Sequence, residues 1–509
     1  MKRSLAYNAL YSVIYQLLNV LFPLISAAYL ARVLLPTGVG EVDYARNILS
    51  YFVMVAGLGM SAYGTREIAR CQGDQQKTNA VFSELMILCG ISTTLCLVVY
   101  LIVCRVLFPE NLLLHLVVGL ELVFSYIGID WLYQGTEEYG YITARNALVK
   151  FGSLVALVLF VRDGADCLAY ALIHSLSVGC NNIFLVLRAG KRVKLTLTGL
   201  RIKRHLAPIL WLMAGAVAAG LYTKVGVTML GSMQGMEAVA YYTNADKLIG
   251  MAICLVTAVT AVFLPRLSYI YANERQCFAC CLSDGLRIVL LLAVPSAVGI
   301  ALAAENLVVC LFGAAFLPTA QTLRILAVLL VIKGTGDLLC YQAVVSSGNE
   351  RDLILPRIAA GIVSILANVW LISRVAYNGA AIAFVIGELT VNGLLLPRTL
   401  SLVKIRLQAG FCGSIAAATL VMAAVVTVIQ KVMGTGICSL TVSVLCGVIS
   451  YGAALLATKN ELLWRGMEEI KSLWENGCHP LKMGEKRETQ CLIGQERALV
   501  KERDDIWKI

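Results

Sequence analysis

The feature that most constrains this chain is a series of about fourteen apolar stretches, most of them near 20 residues long, separated by short polar segments. A helix needs about 20 apolar residues to cross a bilayer, and lipid offers its backbone no other hydrogen-bond partner. A membrane β-barrel would show alternating segments of about ten residues instead. The spans are predicted at 11–32, 44–64, 81–104, 112–132, 147–161, 167–187, 208–230, 239–264, 288–304, 319–345, 355–373, 379–396, 411–430 and 437–457.

Composition supports a polytopic, all-α membrane protein. Hydrophobic residues make up 59% of the 509 residues and charged residues only 14%, against about a quarter charged in soluble domains. A soluble fold has too few polar groups here to cover its apolar surface. Ordinary soluble enzymes, disordered chains and fibrous repeats are therefore excluded.

The distribution of Lys and Arg predicts the orientation. If the N-terminus is cytoplasmic, the inner segments carry most of the basic residues, including seven between positions 188 and 206 with no acid among them. The positive-inside rule then places both termini in the cytoplasm. A basic inner face beside anionic lipid explains the net charge of +11 without a nucleic-acid partner. The outer loops carry only Arg32, Arg105, Arg162, Arg374 and Lys431.

The first twelve spans divide into two sets of six around the basic segment. Residues 1–187 are predicted to form an N-lobe, 188–206 a cytoplasmic linker and 207–400 a C-lobe. Since six is even, both sets enter from the same side, as in parallel repeats of transporters. A weak internal sequence similarity between positions 200 residues apart matches Val39 with Val239, Ala45 with Ala245 and Ile48 with Leu248.

The C-terminal part is predicted to be an addition to this repeat. Residues 401–457 supply spans thirteen and fourteen, and 458–509 form a cytoplasmic tail. The start of the tail places four apolar residues on one helical face, which is typical of an interfacial amphipathic helix. These residues are Leu463, Met467, Ile470 and Trp474.

Ionisable residues inside the spans are the candidates for function, because each costs about 2.5–3.5 kcal/mol at mid-bilayer. Near the span ends, Arg46, Arg324 and Glu84 are interpreted as snorkelling side chains. Lys333 and Asp337 are four residues apart on one helix and are predicted to neutralise each other. The remaining candidates are Lys224, Lys247, Asp246, Asp130, Glu121 and Glu388.

Lys224 and Lys247 fall at similar depth on consecutive antiparallel spans, so they are predicted to lie close together without full compensation. With Lys333 they are predicted to line a basic, water-filled cavity for an anionic ligand such as a phosphate; structural pairing is the alternative. The next basic candidates are Arg46, Arg324 and Arg32. The acids, assigned to ion coupling or structural pairing, are Asp246, Asp337, Glu388, Asp130 and Glu121.

Several segments resemble the oligosaccharide flippases, the polysaccharide-transport branch of the multidrug/oligosaccharidyl-lipid/polysaccharide exporters. The strongest are residues 222–231 (YTKVGVTMLG), 239–248 (VAYYTNADKL) and 263–268 (FLPRLS). The likeness covers residues 5–457. One departure is Gly226, where the family often has an acid two residues after the lysine, so a role for that acid is in doubt here. Further similar stretches are 23–25, 29–34, 63–69, 311–313 and 379–382 with Glu388.

The resemblance implies a transporter rather than an enzyme. Members flip undecaprenyl-diphosphate-linked oligosaccharides to the outer leaflet by rocking two lobes around a cationic cavity, without a cofactor. No Gly-x4-Gly-Lys-Ser/Thr phosphate loop is present, so an ion gradient or the membrane potential is the expected energy source. Lipid-linked oligosaccharide and membrane lipids are the expected partners, together with a polymerase and glycosyltransferases.

Two other functions compete with this interpretation. A multidrug or cation antiporter of the same superfamily would favour a net acidic cavity, against which the three deep lysines argue. An integral glycosyltransferase or polymerase would need a carboxylate-bearing loop or domain for its chemistry. The short outer loops argue against that enzyme.

Overall fold

The structure is a computed structural model that describes residues 21–460 apart from 72, 191, 197, 198, 262, 274, 403–407 and 459. The predicted tail helix and the first half of the first predicted span lie outside these residues. Within them the chain is almost entirely helical and contains no strand, as the sequence predicts. The protein is an all-helical, multi-pass membrane protein.

The described residues form eighteen α-helices, which differ widely in length. Within the described part of the chain, short 3₁₀ or π segments occur only at 314–316, 337–342 and 350–353. The helices are α1 (Leu21–Val33), α2 (Leu35–Ala56), α3 (Met60–Arg70), α4 (Gln75–Leu107), α5 (Leu112–Ser125), α6 (Asp130–Gly135), α7 (Tyr139–Phe160), α8 (Cys167–Ala189), α9 (Lys203–Gln234), α10 (Met236–Ala261), α11 (Phe263–Asn273), α12 (Arg275–Phe312), α13 (Thr319–Ala327), α14 (Leu329–Gly336), α15 (Ala343–Ser346), α16 (Ile354–Leu402), α17 (Ala409–Met433) and α18 (Ile437–Ala457).

Among the described residues, eleven helical segments are long and apolar enough to cross a membrane. The predicted count of fourteen stays a prediction. The predicted spans eleven (355–373) and twelve (379–396) both lie in α16, and helical geometry breaks between them, at Val375 and Ala376, where the sequence places the boundary. The predicted span ten is divided among α13, α14, a π-helical turn at Asp337–Gln342, and α15. Length and hydropathy do not distinguish a broken span from two separate ones.

The centre of the bundle is the contact of α2 with α9 and α10. Small residues let these helices approach closely: Ala45, Ala240 and Ala245 are fully buried. Gly40 is required for the same reason, because a Cβ there would overlap the backbone carbonyl of Met236 at the start of α10. The largest buried apolar cluster runs along this contact. Around it, α16 packs on α9, and the paired α17 and α18 pack on α12.

The basic linker (188–206) is docked on the N-terminal part of α4. The Asn79 side chain accepts from the Lys194 backbone N–H at 3.1 Å, and Ser83 accepts from the Thr196 backbone N–H at 2.9 Å. Glu84 accepts from the Arg201 backbone N–H at 2.5 Å. The linker is thus a fixed element of the fold over its described residues.

The interpretation of Glu84 as a snorkelling side chain is wrong. Its side chain is 2% exposed and forms an ion pair with Arg204 at 2.7 Å. His205 Nε2 lies 2.7 Å from the same carboxylate oxygen, and the other ring nitrogen lies 2.7 Å from the Tyr63 hydroxyl. These contacts tie the beginning of α9 to α3 and α4.

Candidate functional site

Three lysines from three helices surround one carboxylate near the middle of the bundle. Lys224 of α9, Lys247 of α10 and Lys333 of α14 all interact electrostatically with Asp246 of α10. Asp246 is nevertheless exposed, so it faces an open space between helices. The structure therefore brings together the three deep lysines that the sequence singles out.

Lys224 differs from the other two lysines because it has no counter-ion in direct contact. Within the described ranges, neither Lys224 nor Asp246 forms an ion pair, and both side chains are exposed. The backbone around Lys224 is held in place, since its carbonyl oxygen accepts a hydrogen bond from Asn47 of α2 at 3.3 Å. An ammonium is thus presented to the open space on a fixed helix.

Lys247 is paired across the central contact. Its Nζ lies 2.7 Å from Asp43 Oδ2 of α2 and 3.3 Å from Asn244 Oδ1. The Thr243 hydroxyl donates to the same Asp43 oxygen at 2.5 Å. The prediction that Lys224 and Lys247 form an uncompensated pair is therefore wrong for Lys247. Sequence reasoning missed Asp43 because the predicted second span begins at residue 44.

Lys333 is also paired, but not with the predicted partner. Its Nζ lies 2.8 Å from Glu388 Oε1 of α16 and 4.8 Å from the centre of the Phe384 ring. Asp337 instead accepts from the Thr260 hydroxyl at 2.5 Å and from the Gln342 amide at 2.8 Å. The predicted Lys333–Asp337 pair is therefore wrong. A π-helical turn starts at Asp337, and the Asp337 side chain bonds to Thr260 of α10 instead.

A polar cavity of about 360 Å³ adjoins the Lys333–Glu388 pair. It lies among helices of the second half of the chain, between α9, α10, α14 and α16. Arg357, near the beginning of the predicted span 355–373, is a cation in its wall that the sequence analysis did not name. The polar lining residues are Tyr222, Thr257, Lys333, Asp337, Arg357, Glu388 and Asn392.

Arg46 lies within the first half of the chain and pairs there. Its Nε lies 3.5 Å from Glu121 Oε1 of α5, and His174 Nδ1 of α8 lies 2.8 Å from the same oxygen. Arg46 also interacts electrostatically with Asp43, three residues before it on α2. Its interpretation as a snorkelling side chain is wrong.

The other predicted site residues lie away from the three lysines. Arg32 donates to the Cys310 carbonyl at 2.5 Å, at the end of α12. Arg324 pairs with Glu305 at 2.7 Å on an exposed surface. Asp130 pairs with Arg145 at 3.0 Å, at the start of α6. Depth read from the sequence does not show which side of its helix each residue occupies.

Comparison with known proteins agrees with this architecture. A family model described as polysaccharide biosynthesis protein matches residues 5–271, and one described as lipid II flippase MurJ matches residues 154–446. Each match covers more than half of the 509 residues. The chain belongs to the polysaccharide biosynthesis family of flippases. This confirms the resemblance seen in the sequence.

Individual relatives are more distant. A protein of Escherichia coli (strain K12) described as an O-antigen transporter is 24% identical over 402 residues, covering 78% of this chain and 96% of the relative. The lipid II flippase MurJ in an inward closed conformation superimposes with a TM-score of 0.72 at 15% identity, covering 90% of this chain and 100% of that one. An inward-facing multidrug transporter of the MATE family gives 0.63 at 17% identity, covering 76% and 95%. At these identities the structures show a shared fold only.

Proposed function

We propose that this flippase moves an undecaprenyl-diphosphate-linked oligosaccharide from the inner to the outer leaflet, with the diphosphate at Lys224 and Lys247. The observation that carries the proposal is Lys224, an ammonium on a helix long and apolar enough to cross a membrane, with no ion pair among the described residues. Such a group is costly unless water or an anion reaches it. A second lysine on the next helix supplies the further charge that a diphosphate requires.

We assign the sugar of the substrate to the polar cavity beside Lys333. Its volume of about 360 Å³ lies in the range of small-ligand pockets, about 300–1,000 Å³. Hydroxyl and amide groups of Tyr222, Thr257 and Asn392 offer donors and acceptors to sugar hydroxyls. The cavity opens among helices α9, α10, α14 and α16, so a glycan there stays next to α9, which carries Lys224.

A multidrug or cation antiporter is the second candidate, since MATE transporters share the fold. A cationic substrate needs a carboxylate that is free to pair with it. Asp43 and Glu388 are instead each within 2.8 Å of a lysine. Asp246 forms no ion pair among the described residues, but Lys224, Lys247 and Lys333 all interact electrostatically with it. A cationic substrate would meet those three ammonium groups there, so the site favours an anionic substrate.

The cellular setting follows from the substrate. We infer alternating access in the bacterial inner membrane, with both termini in the cytoplasm and an ion gradient or the membrane potential as the energy source. A polymerase and glycosyltransferases act next to such a step, because the lipid-linked unit must be built on the inner face and used on the outer one.

Replacing Lys224 tests the proposal, because this lysine can be changed without breaking an ion pair. Lys224→Ala is expected to lower surface-polysaccharide export about tenfold or more, since a charged hydrogen bond contributes about 1.5–3 kcal/mol. Lys224→Arg keeps the charge and is expected to retain part of the activity. Export is measured in cells that lack the native copy and is normalised to the amount of protein in the membrane.

Lys77→Ala is the matched control, because Lys77 is an exposed lysine in the first turn of α4, before the predicted span 81–104, and pairs with Asp74 at 3.1 Å. It is expected to export normally. Normal export by Lys224→Ala at normal protein abundance would contradict the diphosphate site.

A further inference from the structure

One end of the central contact is held by polar bonds between α2 and the α9–α10 pair. Charge asymmetry predicts this end to be the outer one. Thr37 donates to Glu237 at 3.1 Å, and Asn47 donates to Thr228 at 2.8 Å. Together with the Asp43–Lys247 ion pair, these contacts are called here the outer latch. They join the first half of the chain to the second.

Asp43 is the residue of the outer latch that is paired with a lysine assigned to the substrate, Lys247. Its side chain is 5% exposed, whereas that of Lys247 is 30% exposed. The lysine is therefore reachable from the open space while its carboxylate partner is buried against α10. In the latched state, Asp43 occupies the position on Lys247 that an external anion would take.

We propose that the anionic headgroup of the substrate displaces Asp43 from Lys247 and so releases the outer latch. The inference rests on the proposed function, because it takes the lipid diphosphate as the displacing anion. A diphosphate carries more charge and more acceptor oxygens than one carboxylate, so it competes well for the ammonium. Lys224, which has no ion pair in the described part of the chain, provides the first point of attachment for that anion.

The displaced carboxylate has a second partner within reach. Arg46 lies one turn away on the same helix and already interacts electrostatically with Asp43. Asp43 can therefore leave Lys247 without becoming an unpaired buried charge, which would be strongly destabilising. Two alternative pairings of one acid make the outer latch a two-state element.

Substrate binding is coupled to the opening of the outer latch because the diphosphate has different affinities for the closed and the open latch. A ligand shifts a conformational equilibrium only if it binds one state better than the other. The diphosphate binds Lys247 fully only when Asp43 has left, so it favours the open latch. A neutral polyprenol has no such preference and is expected to leave the latch closed.

The experiment measures the width of the predicted outer end in nanodiscs. Spin labels are placed on cysteines replacing Glu110 and Leu317, two exposed loop residues from the two halves, in a chain without native cysteines. Undecaprenyl diphosphate is expected to shift the wild-type distances to longer values, and undecaprenol is not. Asp43→Asn is expected to show the longer distances without any ligand.

Affinity provides the second readout, by native mass spectrometry of the full chain. Removing the competing carboxylate in Asp43→Asn is expected to lower the Kd for undecaprenyl diphosphate by about fivefold or more. Glu305→Gln is the matched control, since it breaks the Glu305–Arg324 pair within one half of the chain. That variant is expected to keep the wild-type distances and Kd.

The outcomes separate the two proposals. Binding of undecaprenyl diphosphate with unchanged distances, or an unchanged Kd in Asp43→Asn, would overturn the displacement of Asp43 and leave the proposed function standing. Absence of binding to both wild type and Asp43→Asn would overturn the proposed function and the displacement with it. If Asp43→Asn does not fold, the wild-type distances with the two lipids decide the question alone.

Discussion

At the scale of single residues, the partner of each lysine matters more than its depth in the membrane. Lys224, Lys247 and Lys333 all belong to predicted spans, yet only Lys224 lacks an ion pair in the described part of the chain. A lysine paired with a buried acid contributes to the stability of the fold and binds a ligand only when that acid leaves, whereas an unpaired lysine is available to a ligand directly. The same substitution is therefore expected to have different consequences at each position.

Lys333→Ala is expected to act mainly on stability. It leaves Glu388, whose side chain is 8% exposed, without its cation, and breaking such a buried pair costs about 3–5 kcal/mol. Adding Glu388→Gln to the same chain is expected to recover part of the loss, because an uncharged amide is cheaper to bury. Thermal unfolding of the purified protein in detergent measures both effects.

Lys224→Ala is the control for that measurement, since it removes no ion pair. Its midpoint of unfolding is expected to stay close to that of the wild type. Equal losses of stability in Lys224→Ala and Lys333→Ala would show that the ion pair is not the cause.

At the scale of helices, the N-terminal part of α4 determines where α9 begins. Asn79, Ser83 and Glu84 lie on one face of α4 and hold backbone groups of the segment 194–201. This segment carries basic residues and no acid, so the buried Glu84 carboxylate provides its counter-charge. Although α9 belongs by sequence to the second half of the chain, its N-terminal end is therefore attached to the first half.

Glu84→Gln is expected to loosen this attachment. It weakens the charged hydrogen bonds from Arg204 and the Arg201 backbone, each contributing about 1.5–3 kcal/mol. If the cleavage rate is proportional to the fraction of molecules in which the segment is detached from α4, trypsin is expected to cut the segment 192–204 about ten times faster or more. The cleavage rate is followed in membranes whose inner face is accessible.

Glu67→Gln is the matched control, because Glu67 pairs with Arg66 and Arg70 of its own helix. It is expected to leave cleavage of the segment unchanged. A wild-type cleavage rate in Glu84→Gln would mean that the neighbouring hydrogen bonds hold the linker without the carboxylate.

At the scale of the whole molecule, residues 200 positions apart meet at the centre. Thr37 bonds to Glu237, and Asp43 bonds to Thr243. Contacts between equivalent positions are what two similar halves related by a pseudo-two-fold axis would produce. We therefore keep the division into two lobes, 1–187 and 207–400, as a proposal that these contacts support.

Topology can be tested on the intact protein. In a variant without native cysteines, Gln234→Cys at the turn between α9 and α10 is expected to react with an impermeant reagent in whole cells. Leu195→Cys in the linker is expected to react only after the membrane is disrupted. Both positions are exposed, so accessibility depends on the side of the membrane. The reverse pattern would invert the predicted orientation.

Much of the fold was predictable because membrane helices are specified locally. Apolar runs of sufficient length predict helices, and the excess of basic residues predicts an orientation. The break in helical geometry at Val375 and Ala376 falls between the predicted spans eleven and twelve. The π-helical turn that begins at Asp337 was not predictable in this way, because it lies inside a predicted span and leaves the apolar pattern almost unchanged.

The sequence alone determined that this chain is a multi-pass helical transporter and that Lys224, Lys247 and Lys333 are its notable cations. Only the tertiary structure decided that Lys247 pairs with Asp43 and that Lys333 pairs with Glu388. The first pair joins residues 204 positions apart, and the second joins α14 to α16. Hydropathy depends on a residue and its neighbours in sequence, whereas an ion pair depends on how distant helices pack and rotate against each other.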